Sequence, residues 1–422
     1  MNGALEPYIT TEKDLLSDFK RTRAHTKFLC ETLEIEDFVV QPVVDVSPLK
    51  WHLGHTTWFF ENFVLVPNVK EYTPFHPKFN YLFNSYYVAA GERWKRANRG
   101  QLTRPTVREI FKFREYVEDH MLAFMNGGSI SVEMEKVIEL GIHHEQQHQE
   151  LFLYDIKRIL GDNPLNPVFR EPKAAPESGA EKKWLKVEEG TYEIGFKGND
   201  FHFDNEKGLH KVFLHEYEIE SGLVTNEEYM EFMDEGGYES FQYWYQEAWD
   251  WVNNEKIHAP RYWAKEDGEW WHYTLGGYEK VNPKDPVSHV SFYEADAFAR
   301  WKGCRLPSEQ EWEAACKKFS PEISNTSNFV ESKFFKPIQV NDSGFYGNLW
   351  EWTSSPYTAY PYFKIAEGAL GEYNGKFMVN QMVLRGGSFA TPKNHIRLTY
   401  RNFFHPHLRW LFSGIRLAKH TV

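Results

Sequence analysis

Up to the turn Gly161-Asp162-Asn163-Pro164, apolar residues return every three or four positions, the period of an amphipathic helix. Four long stretches carry this pattern. Thr11 and Asp14 form a Thr-x-x-Asp capping pattern ahead of the first, which reaches about Leu33. Ser47-Pro48 opens the second, LKWHLGHTTWFFENFVL, as an N-cap followed by proline at the first helical position. Thr106 and Glu109 make a capping box for the third, which Gly127-Gly128 ends, and Ser131 opens the fourth. With one extended crossover between the second and third, this order predicts a four-helix bundle over residues 1–168.

The pattern then stops. Residues 169–183 lose apolar periodicity, and EPKAAPESGAEKK is rich in Pro, Ala and charge, the composition of a linker. From 184 to 422 short segments are separated by Gly, Pro, Asn and Asp, with Trp and Tyr throughout. The fold class expected is therefore α plus α+β, a helical bundle followed by a domain with little regular secondary structure.

Composition refines this. The 422 residues exceed what one hydrophobic core usually serves. Fifteen Trp and 23 Tyr supply large rings to pack an irregular backbone. A net charge of −12 argues against nucleic acid, although Arg93, Lys95, Arg96 and Arg99 form a local basic run able to receive a carboxylate. No membrane span or export signal is legible, and the sparse, odd cysteine set of Cys30, Cys304 and Cys316 fits a reducing cytoplasm.

Candidate chemistry sits on the fourth helix. His144 and His148 are four apart and share a helical face, so both imidazoles can reach one metal ion. Glu150 is close enough to support them from behind. The same residues spell His-Glu-x-x-His, the zinc-protease signature in which Glu145 would be general base. A zincin needs a third ligand, usually downstream of this helix; Glu171 and Glu177 are available there but lie in the linker. The second helix offers His52 and His55, of which His55 lies deeper, beside Trp58-Phe59-Phe60. One histidine from there would complete a facial three-histidine site, suited to Fe(II) that must gather substrates and O2.

At this point the residues resemble a family. SPLKWHLGHTTWFFE, HHEQQHQEL, and then FDNEKGLHKV, GLVTNEEYMEFMDEGGY, PVSHVSFYEADAFARWKGCRLPSEQEWEAA, GNLWEWTSS and LRGGSFA are similar to the sulfoxide synthases of ergothioneine biosynthesis, EgtB type. The resemblance implies a DinB-like iron-binding bundle followed by a C-type-lectin-like, formylglycine-generating-enzyme-like domain. It implies Fe(II) on His55, His144 and His148, O2 as co-substrate, and Gln147 orienting the substrate imidazole. The small-molecule partners implied are trimethylhistidine (hercynine) and a thiol.

Further residues carry over by position. Asn84-Ser85-Tyr86-Tyr87 matches the paired tyrosine of the branch that takes free cysteine, so Tyr86 or Tyr87 would deliver a proton. Arg96 matches the basic position that meets the thiol substrate's carboxylate. The segment from Arg401 to Arg409 matches the substrate-binding loop, with Asn402 at the betaine's carboxylate and Phe403 and Phe404 walling its trimethylammonium group. Where the γ-glutamylcysteine branch has Asn-Trp-Asp, this chain has Asn-Phe-Phe, which favours cysteine. Formylglycine-generating enzymes bind copper through a late cysteine pair that is missing here, so the second domain is expected to bind substrate. Ovothiol-type and selenium-inserting substrate pairs, a zinc hydrolase and a non-catalytic binding module stay open as alternatives.

Overall fold

The computed structural model describes residues 14–85, 87, 91–128, 130–174, 181–339, 344–367, 371 and 374–421. The chain divides into two compact units, Met1–Asp155 and Ile156–Val422.

The first unit is helical. Thr11 lies outside the described residues, and α1 (Leu15–Cys30) is capped instead by Asp14, whose carboxylate accepts from Ser17 N at 3.1 Å. Helix α2 (Leu49–Phe60) starts one residue later than the Ser47-Pro48 pair predicts, with Pro48 as its N-cap. Ser47 is diverted to other partners: its hydroxyl accepts from Arg99 Nη1 at 2.8 Å and its N–H donates to Asp155 Oδ2 at 2.9 Å. A π-helical turn, Glu61–Leu65, and α3 (Val66–Asn68) prolong α2, and the crossover contains α4 (Phe79–Phe83). Thr106 and Glu109 form the expected capping box of α5 (Val107–Asn126). Helix α6 (Val132–Gly161) is the longest, and its last turns, from Ile156, belong to the second unit.

Every residue of α2 is buried, and such a helix must satisfy its polar side chains internally. Thr57 Oγ1 donates to Leu53 O at 2.8 Å, and Lys50 Nζ donates to Leu102 O. Thr56 Oγ1 donates to His52 O at 3.2 Å, Trp51 Nε1 to Leu82 O at 3.2 Å and Trp58 Nε1 to Asn80 Oδ1 at 2.7 Å, which leaves His52 and His55. Gly54 lets α2 and α4 meet closely: a Cβ there would stand 2.3 Å from Phe83 Cε1.

The second unit is built from small sheets. Strands β1 (Trp184–Val187), β4 (Tyr217–Glu220) and β12 (Ala418–His420) form an antiparallel sheet in the order β1-β4-β12, while β2 (Gly190–Ile194) pairs with β3 (His210–Leu214). Strands β5 (Trp263–Glu266), β6 (Glu269–Thr274) and β7 (Gly277–Lys280) make a meander. Strand β8 (Trp350–Pro356) lies between β9 (Met382–Arg385) and β11 (Ser413–Gly414), with β10 (Asn402–Phe404) on the far edge of β9. Helices α7 (Asn226–Asp234), α8 (Gln246–Asn254), α9 (Phe292–Trp301) and α10 (Glu309–Phe319) complete the unit. Capping boxes start α7, α9 and α10 at Thr225, Ser291 and Ser308.

Buried ion pairs stitch these short elements together. Arg416 makes a two-point contact with Glu351 at 2.6 and 2.7 Å, and Trp312 Nε1 donates to the same carboxylate at 2.6 Å. Arg401 forks onto Glu309 at 2.8 and 2.9 Å, and Arg385 pairs with Glu313. Among the described residues no helix is long and apolar enough to cross a membrane.

Candidate metal centre

Helices α2 and α6 bring His55, His144 and His148 together. All three are buried, and their nearest ring nitrogens lie within 4.8 Å of one another. Among the described residues this is the one group of His, Cys, Asp or Glu side chains so placed. Burial disfavours the charged form of each ring, pushing His55 and His148 well below the ordinary imidazole value and His144 to about 4. Neutral imidazole is the form that donates a lone pair to a metal.

Hydrogen bonds behind the rings assign which nitrogen is free. His55 Nδ1 donates to Phe83 O at 2.6 Å, leaving Nε2 as an acceptor, and Nε2 faces His144 Nε2 at 3.1 Å. His148 Nδ1 lies 2.9 Å from His52 Nδ1, and His52 Nε2 lies 2.8 Å from Asp155 Oδ2. A carboxylate accepts only, so a His52 ring with a single proton donates through Nε2 and accepts at Nδ1. His148 then carries its proton on Nδ1 and keeps the Nε2 lone pair. The donor set of three neutral nitrogens fits a divalent first-row ion.

Aromatic rings wall the group. Trp51 and Trp58 both stack on His55 at 14° between planes, with centroids at 4.6 and 5.4 Å. The Arg99 guanidinium sits 3.2 Å from the centroid of the Trp51 ring, a buried cation–π contact, with Nη2 on Ser85 Oγ at 3.1 Å. Phe59 lies 5.0 Å from the His144 ring.

Glu145, the acid of the zinc-protease pattern, is committed elsewhere. Its carboxylate takes Arg23 Nη1 at 2.8 Å, Arg114 Nη2 at 3.0 Å and Thr26 Oγ1 at 2.6 Å. Burial alone would raise this acid, but the two arginines outweigh burial and hold it down at about 2. A carboxylate engaged by two arginines and a threonine is poorly placed to act as general base, which counts against the zinc hydrolase.

Tyr86 lies outside the described residues. Tyr87 is buried, with its ring 5.5 Å from Trp58 and 5.3 Å from Phe63, and its backbone is held by Asn84 Oδ1 and Nδ2 at 3.2 and 2.9 Å. Gln147 is half-buried on α6, next to His148. Arg96 is exposed and donates to Asp45 O at 2.5 Å, whereas Arg99 of the same run is buried. Glu150 accepts from Tyr154 OH at 2.6 Å. In the second unit, the Asn402 side chain accepts from Phe403 N at 3.0 Å, and Phe403 stacks on Tyr357 with centroids at 4.1 Å. Phe404 meets Trp410 edge-on at 5.6 Å. Arg409 Nη1 donates to Ala259 O at 3.0 Å and Glu294 at 2.9 Å. Cys304 and Cys316 are both free, and burial pushes the Cys316 thiol up to about 12.

Two residues behind the centre were missed by sequence reasoning. His52 shares α2 with His55 and the sequence does not say which of the two binds metal, and Asp155 belongs to no recognisable motif. The available signal was Asp155 seven residues after His148, two turns along the same helical face.

Comparison with known proteins agrees with this architecture. The DinB superfamily matches residues 18–152, and the sulfatase-modifying factor enzyme 1-like domain matches residues 168–421. A protein named hercynine oxygenase from Mycolicibacterium smegmatis is 31% identical over 66% of this chain and 70% of its own length. Its namesake from Mycobacterium tuberculosis is 30% identical over 67% of this chain and 71% of its own. Ergothioneine biosynthesis protein 1 of Schizosaccharomyces pombe is 26% identical over 56% of this chain and 29% of its own length. The chain belongs to the sulfoxide synthase family of ergothioneine biosynthesis, EgtB type, and is an oxidoreductase of that family.

Proposed function

We propose that the chain uses Fe(II) and O2 to join the imidazole carbon of hercynine to the sulfur of cysteine, giving a sulfoxide. The observation that carries this reading is the group of three buried, neutral imidazoles at His55, His144 and His148, in a relative of proteins named hercynine oxygenase. The overall change balances without an external reductant. One C–H and one S–H bond are lost, one C–S and one S=O bond form, and the second oxygen atom leaves as water.

His55, His144 and His148 would hold the iron. Bound there, Fe(II) supplies Lewis acidity toward the thiol and one-electron chemistry toward O2. The chain's own residues do the rest. Phe83 O and His52 fix the two ring orientations described above, and Trp51, Trp58 and Phe59 keep water from the histidines. Gln147 orients the hercynine imidazole, and Tyr86 or Tyr87 moves the proton. Arg96 takes the cysteine carboxylate. Asn402, Phe403, Phe404 and Arg409 are assigned to the betaine on the strength of the family's substrate loop. Cysteine is favoured because Phe404 stands where the γ-glutamylcysteine branch has an acid.

Metal titration tests the site. His55→Ala should abolish Fe(II) binding, as should His144→Ala and His148→Ala. A His55→Ala protein that still binds one Fe(II) with unchanged affinity would contradict the three-histidine site.

A further inference from the structure

We infer that Asp155 and His52 act as a pair of positioning residues that present His148 to the metal through Nε2. The inference rests on the proposed ligand role of His148. Asp155 Oδ2, His52 and His148 form an unbroken file, with contacts of 2.8 Å and 2.9 Å, and all three residues are buried. The file has a direction. Asp155 can only accept, so a His52 ring with a single proton carries it on Nε2, and its Nδ1 lone pair draws the His148 proton to Nδ1.

Reversing any step would put a proton on His148 Nε2 and remove its lone pair from the centre. Asp155 is itself aimed by Ser47 N, which donates to the same Oδ2 at 2.9 Å. His52 is set by its neighbours, with the Trp51 ring edge-on at 5.8 Å and Phe152 at 6.4 Å. His55 is oriented by a backbone carbonyl, which a substitution can shift only by moving Phe83. His148 depends on two side chains, so its orientation can be altered by mutation.

Orienting partners of this kind change metal affinity by about ten- to a hundredfold when removed. The test titrates metal-free protein with Co(II), reading the visible d–d bands and the Kd, beside the thermal midpoint of the metal-free protein. His52→Phe, which keeps a ring but removes the acceptor, should raise Kd by about ten- to a hundredfold. His52→Asn should recover most of that loss, because its Oδ1 falls where His52 Nδ1 stood and can accept from His148 Nδ1. Asp155→Asn keeps an oxygen for Ser47 and His52 but removes the charge. It should raise Kd in the wild-type background and add nothing in the His52→Phe background, since Asp155 acts through His52.

Wild-type Kd and spectrum in His52→Phe would overturn the inference, as would additive losses in the double variant. His148→Ala is the control: if it also binds Co(II) normally, the metal-site reading fails, not merely the positioning. Should His52→Phe not fold, histidine ¹⁵N spectra of the Zn(II)-loaded wild type decide. A His148 ring protonated on Nδ1 supports the file, and one protonated on Nε2 overturns it.

Discussion

Glu145 Oε2 lies 2.8 Å from Arg23 Nη1, with both side chains almost wholly buried. This contact decides between two readings of His144-Glu145-x-x-His148. A general base needs a carboxylate that can take a proton near neutral pH, and Glu145 is held at about 2. Its work is structural, tying α6 to α1 through Arg23 and to α5 through Arg114.

Glu145→Gln should therefore destabilise the protein at pH 7, by at most about 3–5 kcal/mol, because it leaves two buried arginines to share the partly exposed Glu118. The carboxylate is depressed from an ordinary 4.5, so its contribution is complete above that value and is lost as pH falls toward 2. Urea titrations of both proteins should diverge at neutral pH and converge in acid. Equal stability at pH 7 would refute the structural role.

Gly54 controls the same centre from another side. A methyl group there would meet Phe83 Cε1 at 2.3 Å and Cδ1 at 2.5 Å, and Phe83 O is the acceptor that orients His55. Gly54→Ala should cost about 1–3 kcal/mol through overpacking and should also weaken metal binding. Adding Phe83→Leu should restore part of both. A Gly54→Ala protein with wild-type thermal midpoint and metal affinity would show that α2 and α4 need not approach so closely.

Much of this was legible in the chain. Capping boxes such as Thr106–Glu109 announce helix starts through local hydrogen bonds, and the His144/His148 spacing announces a shared face. Tertiary partners were not legible. Arg96 and Arg99 are the same residue type in one basic run, yet Arg99 is buried by Ser47, Ser85 and Trp51, which come from other segments. Ser47 reads as a helix cap, but Arg99 and Asp155 compete for its hydroxyl and N–H and win. The Asp155–His52–His148 file needs two helices side by side, so no single stretch displays it.

Lys157 gives the second unit a pH signature. Its amine is buried and lies 2.7 Å from His289 Nε2, and burial pushes it from an ordinary 10.5 down to about 7. Between those values the unfolded chain holds a proton that the folded protein has shed, so stability rises with pH across that window. Lys157→Met should flatten the rise, with a difference in slope of at most about 1.4 kcal/mol per pH unit. Parallel stability curves from pH 7 to 10 would show that the amine is charged in the fold.

The tyrosine pair bears on product identity. Tyr87 packs against Trp58 and Phe59, the latter 5.0 Å from the His144 ring. Replacing both Tyr86 and Tyr87 by Phe should leave metal binding intact and divert turnover toward simple oxidation of the thiol. Chromatography of the products checks this, and an unchanged sulfoxide yield would remove the pair from the mechanism.

The central claim is tested most directly by mass spectrometry of the products after aerobic incubation of the Fe(II)-loaded protein with hercynine and cysteine. The account predicts a product whose mass equals both substrates plus O2 less one water, with fragmentation placing sulfur on an imidazole carbon. Oxidised cysteine alone, with hercynine returned unchanged, would contradict the proposed substrate pair, and no O2 consumption at all would contradict the proposed chemistry.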